Sequence, residues 1–262
     1  MSTAAVTPPA AARARGASGP PMSRLVRVEL RKGVDTRAGR WLLIASALLA
    51  LVVAVAGALT GDAQDRDLSN VLQLVMLPLG TLLPVIGILS ATGEWSQRTA
   101  LTTFALVPRR GRIIAAKLLA ALVLGAGAVV VWLATGAIGA ALAGAVGDAP
   151  DPWNVPRDLL WQGAIALELG IVLGVAFGLL LMAPAAAIVA YFAVPTVFAI
   201  LGELVTALDG AWDWLDPNRS IDPLTRGELS GSGWGHLLVS HLLWIGVPLV
   251  LGTVRTLRRE VK

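Results

Sequence analysis

Residues 159–208 read LLWQGAIALELGIVLGVAFGLLLMAPAAAIVAYFAVPTVFAILGELVTAL. Only Glu168 and Glu203 carry charge in this stretch. A helix of about 20 residues, rising roughly 1.5 Å per residue, crosses ~30 Å of hydrocarbon. A run of about 50 apolar residues is therefore too long for one crossing. The chain has to turn within it, and Ala183-Pro184 is the place where the pattern breaks. The stretch reads as two spans, Leu159–Met182 and Ala185–Leu208, joined by a tight turn.

Four more apolar segments flank this pair: Trp41–Leu59, Val71–Ala91, Leu118–Val146 and His236–Val254. The expected fold is an all-α polytopic membrane protein with six transmembrane helices across residues 41–254. Composition agrees. The chain has 262 residues, 56% of them hydrophobic and 15% charged, with a mean hydropathy of +0.73. Soluble domains have about 25% charged residues, and here the charges are clustered between the apolar runs.

The clustering predicts orientation. Eight Lys/Arg precede the first span, five (Arg98, Arg109, Arg110, Arg112, Lys117) lie between the second and third, and four follow the sixth. These seventeen fall on one side of a six-span topology. Only Arg66, Arg157, Arg219 and Arg226 fall on the other. The excess of Lys/Arg predicts that both termini are cytoplasmic, and a five- or seven-span reading destroys the asymmetry. The opposite loops are acidic, and Trp153, Trp161, Trp212, Trp214 and Trp234 gather near them as an interfacial belt. The last outer loop, Asp209–Gly235, is the longest.

Met1–Pro21 is rich in Ala, Pro and Gly, has no apolar core and is expected to be a disordered cytoplasmic tail. Residues 22–40 read as a basic amphipathic helix on the inner leaflet, with Met22, Leu25, Val26 and Leu30 among arginines. Residues 255–262 form a basic cytoplasmic tail. Basic residues beside apolar spans satisfy the positive-inside rule, so no nucleic-acid partner is expected. There is no cysteine. His236 and His241 are five apart with no acid beside them, so no metal site is assigned. No nucleophile–base pair is recognisable, and no catalytic residue is assigned.

The segment between the second and third spans is TGEWSQRTALTTFALVPRRGRIIAAK, residues 92–117. Trp95, Thr99, Thr102/Thr103 and Leu106 recur at helical spacing, which predicts a short amphipathic helix over 94–106. Val107-Pro108 ends it, and Arg109-Arg110-Gly111-Arg112 reads as a basic turn. This arrangement resembles the permease subunits of ABC-2-type ATP-binding cassette transporters. Glu94, Thr99, Phe104, Pro108, Arg109, Arg110 and Lys117 occupy the places of that family's glutamate, short helix, Pro/Arg turn and lysine. The C-terminal Arg258-Arg259-Glu260-Val261-Lys262 resembles the tail of actinobacterial members.

The resemblance implies that residues 94–106 form a coupling helix that seats in a separate ATPase subunit. Glu94, Arg98, Thr99, Thr102, Phe104, Pro108, Arg109, Arg110 and Lys117 would serve that contact. It also implies two ATPase copies and a second permease, as a homodimer or a sibling heterodimer, in a bacterial cytoplasmic membrane. The chain has no G-x-x-x-x-G-K-[ST] motif, so it is expected not to be an enzyme itself. No cofactor is expected to bind it directly, and ATP and Mg would be held by the partner. The importer Glu-Ala-Ala loop is absent, which favours export.

Candidate residues for a substrate path are Gln73, Glu168, Thr196 and Glu203. Intramembrane carboxylates are costly and are retained for function or for pairing. Glu168 and Glu203 either line such a path or tie helices together. If they act directly, the alternative is an ion- or proton-coupled carrier. Gly170, Gly174 and Gly178, with Gly163 earlier, form a small-residue row for close packing. Gln73, Gly80, Gly87 and Glu94 recur every seven residues on the second span. Few polar groups in the spans favour an amphipathic or hydrophobic cargo such as a drug, an antimicrobial peptide or a lipid.

Overall fold

The computed structural model describes residues 19–97, 99–107, 109–147, 149–205 and 209–258, without the side chains of Phe104 and Asp209. The expectations for residues 1–18, Arg98, Pro108, the Phe104 side chain and residues 259–262 lie outside this description.

Among the described residues all regular structure is helical. The helices are α1 (Met22–Asp35), α2 (Arg37–Thr60), α3 (Leu68–Ser96), α4 (Ala100–Leu106), α5 (Arg110–Val146) and α6 (Arg157–Leu181). They are followed by α7 (Pro184–Leu204), α8 (Asp209–Leu215), α9 (Pro217–Arg226), α10 (Gly233–His241) and α11 (Val247–Arg258). A π-helical turn, Leu242–Gly246, joins the last two into one rod. Six of these rods are long and apolar enough to cross a membrane: α2, α3, α5, α6, α7 and the α10–α11 rod.

Local chemistry sets the boundaries. The Thr36 side chain accepts from the Gly39 amide at 3.2 Å and starts α2. Asp67 accepts from the Asn70 amide at 2.8 Å and starts α3. The α6–α7 turn falls where the sequence breaks. Met182 adopts a left-handed φ of 55° and donates to the Gly178 carbonyl at 2.9 Å. Pro184 then opens α7 at a position where its missing N–H costs nothing. In the last rod, Pro248 has no N–H for the preceding turn, and the π segment sits just before it.

Several boundaries differ from the sequence reading; the helix expected over 22–40 ends at Asp35, and Arg37–Arg40 open α2. The helix of the third span starts at Arg110 rather than Leu118, so Arg110–Arg112 are its first turn and not a loop. Hydropathy marks where lipid begins, not where a helix does. With 37 residues, α5 is about 55 Å long and projects beyond the hydrocarbon. The last rod is likewise longer than His236–Val254. Finally, the loop expected over 209–235 contains α8 and α9. Its sequence PNRSIDPLTR is polar, with Pro223 inside, so periodicity missed it. Tertiary burial of Leu224, 0% exposed, holds α9 against Ala166 and Leu237.

The core centres on the α3–α6 pair, flanked by α2 and α5. The two small-residue rows pack on each other. Gly174 of α6 lies against the Pro84 backbone of α3, and Gly87 of α3 lies against the Ile171 backbone of α6. A side chain at either glycine would collide with backbone, so these glycines set the distance between the helices. Trp132 of α5 is fully buried, and its Nε1 donates to the Leu72 carbonyl at 2.8 Å. By contrast α7 exposes Val189, Val194, Val197, Ile200 and Leu204, the apolar surface that a lipid-facing helix presents.

Candidate functional site

At the end of the bundle that carries α1, α4 and the last turn of α11, four charged side chains form a closed ring. Glu29 comes from α1, Lys32 from α1, Glu94 from α3 and Lys117 from α5. Lys32 Nζ donates to Glu29 Oε1 at 2.6 Å and to Glu94 Oε1 at 2.8 Å. Lys117 Nζ donates to Glu29 Oε2 and to Glu94 Oε2, both at 2.7 Å. Each carboxylate thus gives one oxygen to each lysine.

The ring is net neutral and largely shielded. The side chains of Glu29, Glu94 and Lys117 are 5–6% exposed, and that of Lys32 is 40% exposed. Lys117 makes a third bond, to the Ser90 carbonyl at 2.8 Å, which uses all three of its donors. Burial alone would push the Lys32 ammonium down. Glu94 and Glu29 outweigh it and hold the group above its ordinary value of 10.5.

Two backbone elements converge on the ring. α3 continues through Ser96, so residues 94–106 are shared between two helices, with Glu94 and Trp95 on the first. After a short break, α4 projects from the bundle. Leu101 is 58% exposed and Leu106 is 73% exposed. The break is pinned where the Thr99 amide donates to the Glu94 carbonyl at 2.9 Å. A cavity of about 420 Å³ lies between the α1–α2 corner, the end of α3 and α4. Lys32, Thr36, Glu94, Thr99, Thr102 and Lys117 line it.

The arginines nearby also do structural work. Arg110 Nη1 donates to the Thr256 carbonyl at 2.8 Å, and Arg112 Nη2 donates to the Pro20 carbonyl at 2.6 Å. Arg255 Nη1 donates to the Leu180 carbonyl at 2.7 Å, at the end of α6. The bonds to Thr256 and Leu180 supply donors for carbonyls that the C-terminal ends of α11 and α6 leave unpaired. Arg109 is exposed just before α5.

Of the coupling residues expected from sequence, Glu94, Thr99, Thr102 and Lys117 therefore meet at one place. The four expected along a substrate path do not. Gln73 lines a separate cleft of about 1020 Å³ among α2, α3, α6, α7 and α9. Glu168 is turned to α5 instead, where its carboxylate fills the space left by Gly125. Among the described residues its Oε2 is buried without a hydrogen-bond partner. Thr196 is exposed, and its hydroxyl donates to the Phe192 carbonyl of its own helix at 2.7 Å. Glu203 is exposed on the last turn of α7.

Sequence reasoning missed Glu29 and treated Lys32 only as a topological charge. A signal was present. Glu29 is the only acid before Asp35, in a segment otherwise basic, and two of the chain's three lysines, Lys32 and Lys117, are in the ring.

A family model described as ABC-2 family transporter protein matches residues 26–261. No curated protein matches the chain. The match spans nearly the whole sequence, and the chain belongs to the ABC-2 transporter family.

Proposed function

We propose that this ABC-2 family member is the membrane subunit of an ATP-driven exporter, moving an amphipathic or hydrophobic substrate outward with a separate ATPase subunit. Two ATPase copies and a second permease subunit complete the assembly. ATP and Mg are held by the ATPase chains. On this reading the ring end is cytoplasmic.

The observation that carries the proposal is α4. It is a short helix whose leucines face outward, and it is attached to the membrane bundle through the Gln97–Thr99 break beside the ring. An ATPase that grips Leu101 and Leu106 moves the end of α3. Glu94 passes that movement to α1 and α5 through the two lysines. α3 is continuous from Glu94 to Gln73, 21 residues or about 32 Å along the axis, and Gln73 lies at the outer cleft. A movement at one end of this rod therefore reaches the other. The cleft combines apolar walls (Leu74, Leu77, Leu83) with a polar rim (Gln73, Asn218, Asp222), which suits an amphipathic cargo.

The test is co-purification with a separately expressed ABC ATPase subunit. Leu101→Glu together with Leu106→Glu should abolish the complex and leave the thermal stability of the chain unchanged. The unpartnered Oε2 of Glu168 favours the carrier reading. ATPase-independent transport driven by a proton gradient and lost in Glu168→Gln would establish that reading instead.

A further inference from the structure

The flank of α1 away from the ring carries a groove and a charged face that neither the ring nor α4 uses. A groove of about 630 Å³ runs between α1 and the first turns of α5. Its floor is apolar. α1 contributes Met22, Val26 and Leu30 at a spacing of four, and α5 contributes Leu119, Leu122 and Val123 at spacings of three and one. Leu119, Leu122 and Val123 are 44%, 41% and 51% exposed, so α1 does not close over them.

The rim is cationic. Arg27 lines the groove, and Arg24 and Arg31 lie beside it at i−3 and i+4. At 100° per residue the three fall within an arc of about 60°. All three are exposed, and none of their side chains forms a hydrogen bond or ion pair among the described residues. The one glutamate of α1 does not neutralise them. Glu29 lies about 160° from Arg31 around the helix and is committed to Lys32 and Lys117. Asp35, exposed at the end of α1, is the other acid of the helix. The ring therefore has a second consequence: it removes Glu29 from the arginine face, where the exposed Asp35, four residues after Arg31, still leaves a net positive charge.

We propose that the α1–α5 groove binds one anionic phospholipid, with an acyl chain on Leu119, Leu122 and Val123 and the phosphate on Arg27 flanked by Arg24 and Arg31. Guanidinium groups pair with phosphate oxygens in a fixed two-pronged geometry, and the apolar floor takes a chain that water would not solvate. The occupied groove would fix α1 to the bilayer on one flank while the ring fixes it to α3 and α5 on the other. This site is independent of the transported substrate and of the ATPase.

The full chain, reconstituted in nanodiscs of phosphatidylcholine with phosphatidylglycerol of matched acyl chains, is released for native mass spectrometry and its retained lipids are counted. Wild type should retain one phosphatidylglycerol in preference to phosphatidylcholine. Each basic residue near a lipid surface is worth roughly fivefold in binding, so Arg24→Gln/Arg27→Gln/Arg31→Gln should lower the preference on the order of 100-fold. Leu122→Trp, which fills the groove and keeps the arginines, should reduce phosphatidylglycerol retention too. An unchanged preference in the triple variant overturns the site. So does full retention in Leu122→Trp, which would make the arginines a plain surface charge. If the triple variant keeps its lipid and instead loses a co-expressed protein, the face belongs to that protein and the proposal fails. Should the triple variant not fold, wild type still decides: the preference must fall as salt is raised, and a salt-insensitive preference contradicts it.

Discussion

The two ends of this bundle are held together by different physics. At the ring end, three helices far apart in sequence meet through four charges in a closed ring, and arginines bond the carbonyls at the termini of neighbouring helices. At the other end the joints that α6 makes are neutral. Gln162 bonds both the amide and the carbonyl of Leu229, at 2.9 and 3.1 Å. Trp161 stacks on Trp234 with ring centroids 5.3 Å apart. The ion pairs there are confined to α8, α9 and their junction: Arg226–Asp222 is exposed on α9, and Arg219 lies 3.6 Å from Asp213 and 3.9 Å from the buried Asp216. Buried charges tolerate little displacement, because a lost partner leaves an unpaired ion behind. Stacked rings and exposed pairs tolerate sliding at small cost. The contrast suits a protein that is pushed as a unit at one end and opens at the other.

The largest expected effect is at the ring. Lys117→Met leaves Glu29 and Glu94 facing each other with only Lys32 between them. It should destabilise the chain by about 3–5 kcal/mol, measured by thermal unfolding in detergent, and adding Glu94→Leu should recover part of that loss.

The central seam comes next. Gly174→Val drives a side chain into the Pro84 backbone and should cost about 1–3 kcal/mol. Gly170→Ala on the same row places its methyl 3.6 Å from Pro84 Cγ, an ordinary contact, and should be nearly neutral in the same assay. Equal effects at the two positions would break the account of the seam.

The joint at the end opposite the ring should give less. Trp161→Ala removes the stack, worth about 0.5–1.5 kcal/mol, and a bond to Asp158. The smallest effect is a pH dependence. Lys32 is held above 10.5 by Glu94 and Glu29 against its burial, so its contribution is complete below 10.5 and is lost as pH rises through the higher native value. The stability gap between wild type and Lys32→Gln should stay constant from neutral pH to about 10 and shrink only at more alkaline pH. A gap that closes in mild acid would contradict this sign.

The same contrast explains what could be read from the sequence. The six spans were legible because apolar runs of about 20 residues have few other uses. The glycine rows on α3 and α6 were legible because their spacing exposes one helix face. Glu168, off that row, faces α5. The pairing of Lys117 with Glu29, 88 residues earlier, left no periodic trace, since it depends on how three helices cross. α9 was hidden for the opposite reason. Its polar sequence has weak helical character of its own, and it is held by Leu224 and by the Asp216 cap on the Asn218 amide.

The central claim is that α4 and the ring transmit the work of a separate ATPase into the bundle. Substrate export per ATP hydrolysed, measured in proteoliposomes holding this chain and its ATPase, tests it most directly when wild type is compared with Lys32→Met. Lys32 lies in the ring and lines the cavity beside α4 without belonging to its exposed leucine face, so the ATPase should still bind and hydrolyse ATP while export per ATP falls severalfold. Export that stays coupled at the wild-type ratio in Lys32→Met would contradict the account.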